Sequence, residues 1–108
     1  MSGFTPFTPK AAGTVSITNA VTTAAVALTK PVTAMQVRVK NIDATNIAYV
    51  NFGISTVTAT VPNGATPGSM PIGPNESIIV TVPDSVTHAA SICTAGTPIV
   101  LFTPGNGI

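Results

Sequence analysis

The feature that most constrains this chain is a hydrophobic period of two. Met35, Val37 and Val39 alternate with Gln36, Arg38 and Lys40, so one side of an extended strand is apolar and the other is wet. Further runs rich in Val, Ile and Thr read as strands at residues 14–18, 21–29, 47–52, 55–61, 77–82, 88–94 and 98–103. A branched Cβ suits a pleated surface and crowds a helix. Turn residues separate the runs: residues 41–46, Gly53, Pro62-Asn63-Gly64, Gly73-Pro74-Asn75, Pro83-Asp84 and Ala95-Gly96. Residues 21–28 are rich in Ala, yet Val21, Thr22, Thr23 and Val26 tilt the segment toward strand. Nowhere do apolar residues recur at helical spacing within a capped segment.

About eight short strands in 108 residues describe one all-β domain. Eight strands in two four-stranded sheets is the jelly-roll count, so the expected fold is a jelly-roll-like β-sandwich over residues 13–108. An immunoglobulin-like sandwich is the alternative, but the chain has no Trp and only one Cys to supply that core. Residues 1–12 read as an extended N-terminal arm, because Pro6 and Pro9 restrict φ and favour extended backbone. Phe4 and Phe7 stand in that arm, two of the four phenylalanines in the chain, and exposed rings favour burial against something. Between Pro62 and Pro74 lie Pro67, Pro71 and the glycines Gly64, Gly68 and Gly73. Pro cannot donate to a ladder, so this stretch reads as a long loop or an edge meander. Residues 103–108 read as a flexible tail. Tyr49 and Phe52, three apart on a strand, face opposite ways, one toward the core and one outside.

Charge excludes several functions. Only 6% of residues are Asp, Glu, Lys or Arg, against about 25% in an ordinary soluble domain. Lys10, Lys30, Arg38 and Lys40 face Asp43, Glu76 and Asp84, leaving a net charge of +1. Such a surface lacks the self-repulsion that keeps proteins apart, which favours assembly. Four cations are too few for a nucleic-acid footprint, even with Arg38 and Lys40 on one strand face. No apolar run reaches the roughly 20 residues that span a bilayer, and the first ten residues lack the charged and apolar regions of a secretory signal. Synthesis in the cytoplasm without export is therefore expected.

Chemistry-bearing groups are equally scarce. His88 is the only histidine and Cys93 the only cysteine. Strand alternation puts them on opposite faces, out of reach as a nucleophile and base. One His, one Cys and three scattered carboxylates make neither a zinc site nor a calcium loop. Each acid stands beside a turn, where a solvated carboxylate is ordinary. The reading is a non-enzyme without cofactor or metal.

A resemblance adds to this. Residues Val37-Arg38-Val39-Lys40-Asn41, residues 48–53, residues 68–77, Thr87-His88-Ala89-Ala90 and residues 102–107 follow one another in a strand-and-turn rhythm. This succession is similar to the small β-sandwich head decoration, or cement, proteins of tailed bacteriophages. The resemblance covers residues 35–108 and leaves the arm outside. It implies a jelly-roll-like domain on the capsid exterior that binds the major capsid protein, associates with itself as a dimer or trimer, and bridges capsomers. It carries no catalytic residues. The candidate contacts are Phe4, Pro6, Phe7 and Pro9 in the arm and Pro67, Met70 and Pro71 in the loop. A receptor- or glycan-binding module of a tail or fibre is the alternative, as is another virion part in the tail, neck or coat.

Overall fold

The computed structural model describes residues 8–28 and 35–106. Nine strand segments follow one another: β1 (Thr8–Pro9), β2 (Val15–Thr18), β3 (Ala24–Ala27), β4 (Met35–Asn41), β5 (Ala48–Gly53), β6 (Met70–Ile72), β7 (Ser77–Val82), β8 (His88–Cys93) and β9 (Ile99–Asn106). Every pairing is antiparallel, and no helix occurs among the described residues. The first sheet runs β9, β4, β7, with β1 and β2 both along the outer side of β9 and β7 at the opposite edge; the second runs β3, β8, β5, β6.

β1 and β2 are two stretches of one edge strand. Thr8 and Pro9 pair with Asn106 and Gly105, and residues 15–18 pair with residues 102–99. The break falls opposite Pro104. Lys10 N–H donates to Pro104 O at 2.8 Å; Pro104 has no N–H to return. The Lys10 carbonyl instead accepts from Gly13 N–H at 3.1 Å, closing a turn that contains Ala12 at φ 54° and restarting the strand. A proline is thus accommodated in a strand paired on both sides, because the edge strand loops out where its donor is missing.

With β1 and β2 counted together, the described residues form eight strands, and their pairings nest. β5 pairs with β6, β4 with β7, β3 with β8 and β2 with β9. Each connection changes sheet except that between β5 and β6. Lateral pairing of β4 with β9 and of β5 with β8 closes the roll. This is jelly-roll connectivity, and the fold is a β-sandwich.

The inner faces follow the alternation. Val37 and Val39 on β4, Val100 and Phe102 on β9, Ile17 on β2 and Val82 on β7 are buried from the first sheet. Ala48 and Val50 on β5, Ile72 on β6 and Ala89 on β8 meet them from the second. Phe102 and Phe52 cross edge to face between the sheets, with ring centroids 6.1 Å apart and planes at 89°. Two buried amides hold the corners. Asn19 Nδ2 donates to Pro98 O at 2.8 Å and its Oδ1 accepts from Ser91 Oγ at 2.5 Å. Asn41 Nδ2 donates to Asn46 O at 2.8 Å and to Ile72 O at 3.2 Å, so the end of β4 is tied to the opposite sheet. No buried side-chain polar atom among the described residues lacks a partner.

Four expectations need adjustment. Residues 55–61, composed like a strand, pair with no strand. Residues 70–72, in the stretch read as a long loop or an edge meander, form β6 on the edge of the second sheet. The ladder of β9 continues through Pro104 and Gly105 to Asn106, so the described part of the tail is paired rather than free. Thr8 and Pro9, assigned to the arm, lie on the sheet edge; Phe4, Pro6 and Phe7 lie outside the described residues. Phe52 faces the core and Tyr49 the outside, as their spacing requires.

Phe102 is fully buried at the centre of both sheets' contact. Phe102→Ala should lower unfolding free energy by about 3–5 kcal/mol, read by urea denaturation. Such a loss takes a large share of a small domain's stability. A second check concerns Asp43, whose Oδ2 accepts from Thr45 N–H at 2.9 Å, Asn46 N–H at 2.7 Å and Thr45 Oγ at 3.2 Å. The backbone N–H of Thr45, then that of Asn46, hold its carboxyl below the ordinary 3.8. The stabilisation is therefore complete above the ordinary value and fades as pH falls through the lowered one. An NMR titration should place the Asp43 midpoint below 3.8, and Asp43→Asn should remove this acid dependence.

Candidate contact surfaces

The connection between β5 and β6, residues 54–69, is the tip of the nested hairpin and lies outside the sandwich. Ile54 leads it, 57% exposed, and Val57 N–H bonds back to Ile54 O at 2.9 Å. Asn51 Nδ2 on β5 then donates to Thr58 O at 3.1 Å, and Ala59 N–H donates to Thr23 Oγ at 2.8 Å, just before β3. β8 lies between β5 and β3, with Asn51, Ala90 and Ala25 in one register row. The segment must therefore cross the outer face of the second sheet above β8.

Burial agrees with that path. On β8, Ala89, Ser91 and Cys93 are in register with the inward Phe52, Val50 and Ala48, so His88, Ala90 and Ile92 face outward. Ala90 is nonetheless fully buried, and so is Ala59. The strap covers Ala90, and a methyl side chain there allows its close approach.

Beyond the strap the chain doubles back. Ser69 N–H donates to Thr60 O at 2.8 Å, and Asn63 and Thr66 exchange backbone bonds of 3.1 and 2.9 Å around Gly64, at φ 58°. Gly68 packs against Pro62 so closely that a Cβ would stand 2.3 Å from the Pro62 nitrogen. Residues 62–68 are all exposed. Pro67 is on this hairpin; Met70 and Pro71 follow on β6, both exposed, with Pro71 beside Tyr49 and Tyr49 beside Ile92 on the outer face. The structure thus brings Pro67, Met70 and Pro71 to one exposed margin. Pro9 is exposed on the edge of the other sheet, away from them.

The outer face of the first sheet carries both described strand cations. Arg38 Nε and Nη2 donate to Ser77 Oγ at 3.3 and 3.2 Å, and Lys40 Nζ to Asn75 O at 3.2 Å. Ile79 and Leu101 stand beside them in register. At the end of the sandwich near the start of β9, Ile42, Ile47 and Ile99 are exposed, with Ile42 N–H bonded to Ile99 O at 3.0 Å.

His88 Nδ1 is 2.8 Å from Thr87 Oγ, and Cys93 is buried with Sγ 3.5 Å from Gly96 O. They occupy the two ends of β8 and opposite faces of it, roughly 16 Å apart along an extended strand. Glu76 Oε1 accepts from Gly73 N–H at 2.6 Å, a turn contact like that of Asp43. Among the described residues no three His, Cys, Asp or Glu side chains gather as a metal site, and no helix is long and apolar enough to cross a membrane. No protein-family model and no curated protein matches the chain.

The strap is the feature that sequence reasoning missed. Its trace is compositional: Ala25, Ala27, Ala90 and Gly53 give the outer face of the second sheet small residues on three adjacent strands, beside Asn51, His88, Tyr49 and Ile92. Ala90→Leu should push the strap off the sheet, cost about 1–3 kcal/mol by overpacking, and speed limited proteolysis within residues 54–69. Ala27→Leu, at an exposed site on the same face, should leave the cleavage rate unchanged.

Proposed function

We propose that this chain is a structural protein of a bacteriophage virion, a decoration protein that binds the assembled head and stabilises it. The observation that carries the reading is a jelly roll whose surface shows aliphatic, hydroxyl and amide side chains where charge would ordinarily stand. Val21 is 70% exposed, and Ile42, Ile47, Ile54, Ile79 and Ile99 are exposed with it. A surface of this kind meets another protein with little desolvation of charge. The proposal assigns the chain no catalytic step.

In this role the sandwich is a preformed block, and the hairpin at residues 62–68 with Met70 and Pro71 reaches toward the major capsid protein. A rigid block loses little conformational entropy on docking. Copies bound only to the assembled shell stabilise it by mass action, and repetition of one weak contact adds avidity. The arm, with Phe4 and Phe7, would extend the contact to a neighbouring subunit.

Quantitative mass spectrometry of the particle that carries this gene tests the proposal. A decoration protein should be present on the order of hundreds of copies, since a closed shell repeats one contact many times. A handful of copies would indicate a neck or tail part. Specific binding on a glycan array without binding to capsids would make the chain a recognition module.

A further inference from the structure

We propose that β7 is a self-association edge: two copies of this chain join β7 to β7, antiparallel about a two-fold axis at Ile79. The two first sheets then form one continuous sheet. The inference does not rest on the virion reading, and the dimer is tested apart from any particle.

An open sheet edge is a hazard that proteins ordinarily blunt, with interruption, proline, charge or shortness. Three of the four edges here are blunted. The β1–β2 edge contains Pro9 and is broken by the looped-out residues 10–14. β6 has three residues with Pro71 at its centre, and β3 has four, three of them Ala. β7 is different. It runs six residues, Ser-Ile-Ile-Val-Thr-Val, in unbroken register with β4, and carries no charge, proline or bulge. Among the described residues it pairs with β4 alone.

The register fixes which backbone groups are offered. Asn41 N–H donates to Glu76 O at 3.0 Å, so the hydrogen-bonded positions toward β4 are Glu76, Ile78, Val80 and Val82. The N–H and C=O of Ser77, Ile79 and Thr81 therefore point to the open side, where all three residues are exposed and Ile79 is 41% accessible. Pairing these positions antiparallel about Ile79 sets Ser77 against Thr81 of the second copy, Ile79 against Ile79, and Thr81 against Ser77. Every offered donor then meets an acceptor.

The side chains are self-complementary in the same register. The pentad Ser77-Ile78-Ile79-Val80-Thr81 has the same chemical order from either end: hydroxyl, aliphatic, aliphatic, aliphatic, hydroxyl. Ile79 stacks on its own copy on the outer face. Ile78 and Val80, both half-buried at the rim of the core, meet on the inner face and complete their burial. The nearest cation, Arg38, is one strand further in. Its guanidinium lies on Ser77 Oγ of β7; in the proposed register Ser77 and its copy stand four residues apart along the strands, about 14 Å, beyond the Debye length of about 8 Å at physiological salt. An isologous contact closes at two subunits and leaves no further open edge to propagate.

Sedimentation equilibrium of the full chain at micromolar concentration should give the mass of two chains. Ile79→Lys sets two ammonium groups against each other at the axis and should return a folded monomer with an unchanged circular dichroism spectrum. Ile79→Cys should form an intermolecular disulfide on mild oxidation, since opposed Cα atoms in such a pair lie about 5.5 Å apart. Thr81→Cys, four residues out of register with its own copy, should not. The native Cys93 is buried and does not compete. The two cysteine variants decide the matter even if Ile79→Lys fails to fold. A wild-type monomer, an assembly that survives Ile79→Lys, or cross-linking of Thr81→Cys as readily as Ile79→Cys overturns the proposal.

Discussion

Antiparallel nesting about the β5–β6 connection is the constraint on which the rest of the molecule depends. Each strand of the outgoing half finds its partner in the returning half, and rolling that long hairpin brings β9 against β4 and β8 against β5. β9 is the longest strand and receives β4 on one side and β1 with β2 on the other. Its inward Phe102 consequently lies under the middle of the opposite sheet, where it meets Phe52. Most stabilising contacts therefore join residues far apart in sequence. Folding must close long loops before those contacts form, which slows it and raises the value of corners that hold once made.

Asn19 and Asn41 supply those corners. A buried amide is costly unless its donors and acceptor are all engaged. Asn41 spends its side chain on Asn46 O, Ile72 O and the N–H of Asp43, which joins β4, β6 and the β4–β5 turn. Asn19 engages Pro98 O and Ser91 Oγ where the chain passes from β2 to β3. An aliphatic residue would bury as well but would fix no direction. The amides specify which backbone groups meet at the two crossings, and the apolar layer between the sheets then packs in one register.

The strands legible in the sequence are those with one face in the core. β4, β5, β7, β8 and most of β9 each turn every second side chain toward the core, although the strap buries the outward Ala90 of β8 as well, and the β-sandwich follows from them. Two segments were illegible for opposite reasons. Residues 55–61 have strand composition, but their backbone goes to Asn51 and Thr23 side chains instead of a ladder, a choice that composition does not record. β6 has a proline at its centre, so its stretch reads as a long loop or an edge meander without a choice between them; Pro71 sits on an open edge that demands no donor from it. That Pro67, Met70 and Pro71 are exposed was legible because prolines and glycines mark turns and edges. The burial of Ala90 was not, since a buried alanine beneath a strap and an exposed one on a bare sheet look alike in sequence.

Scarcity of charge ties the fold to the way its surface must work. With three acids and four bases in the whole chain, neither solubility nor edge protection can come from electrostatics. Geometry takes over: a looped-out edge at residues 10–14, a proline in β6, a strap over the second sheet. These devices hold the surface apart from chance partners while leaving it neutral. A neutral surface in turn accepts a neighbour without like-charge repulsion and with weak dependence on salt. On a neutral surface the choice of any neighbour falls to backbone register and shape, the terms on which the proposed assembly rests.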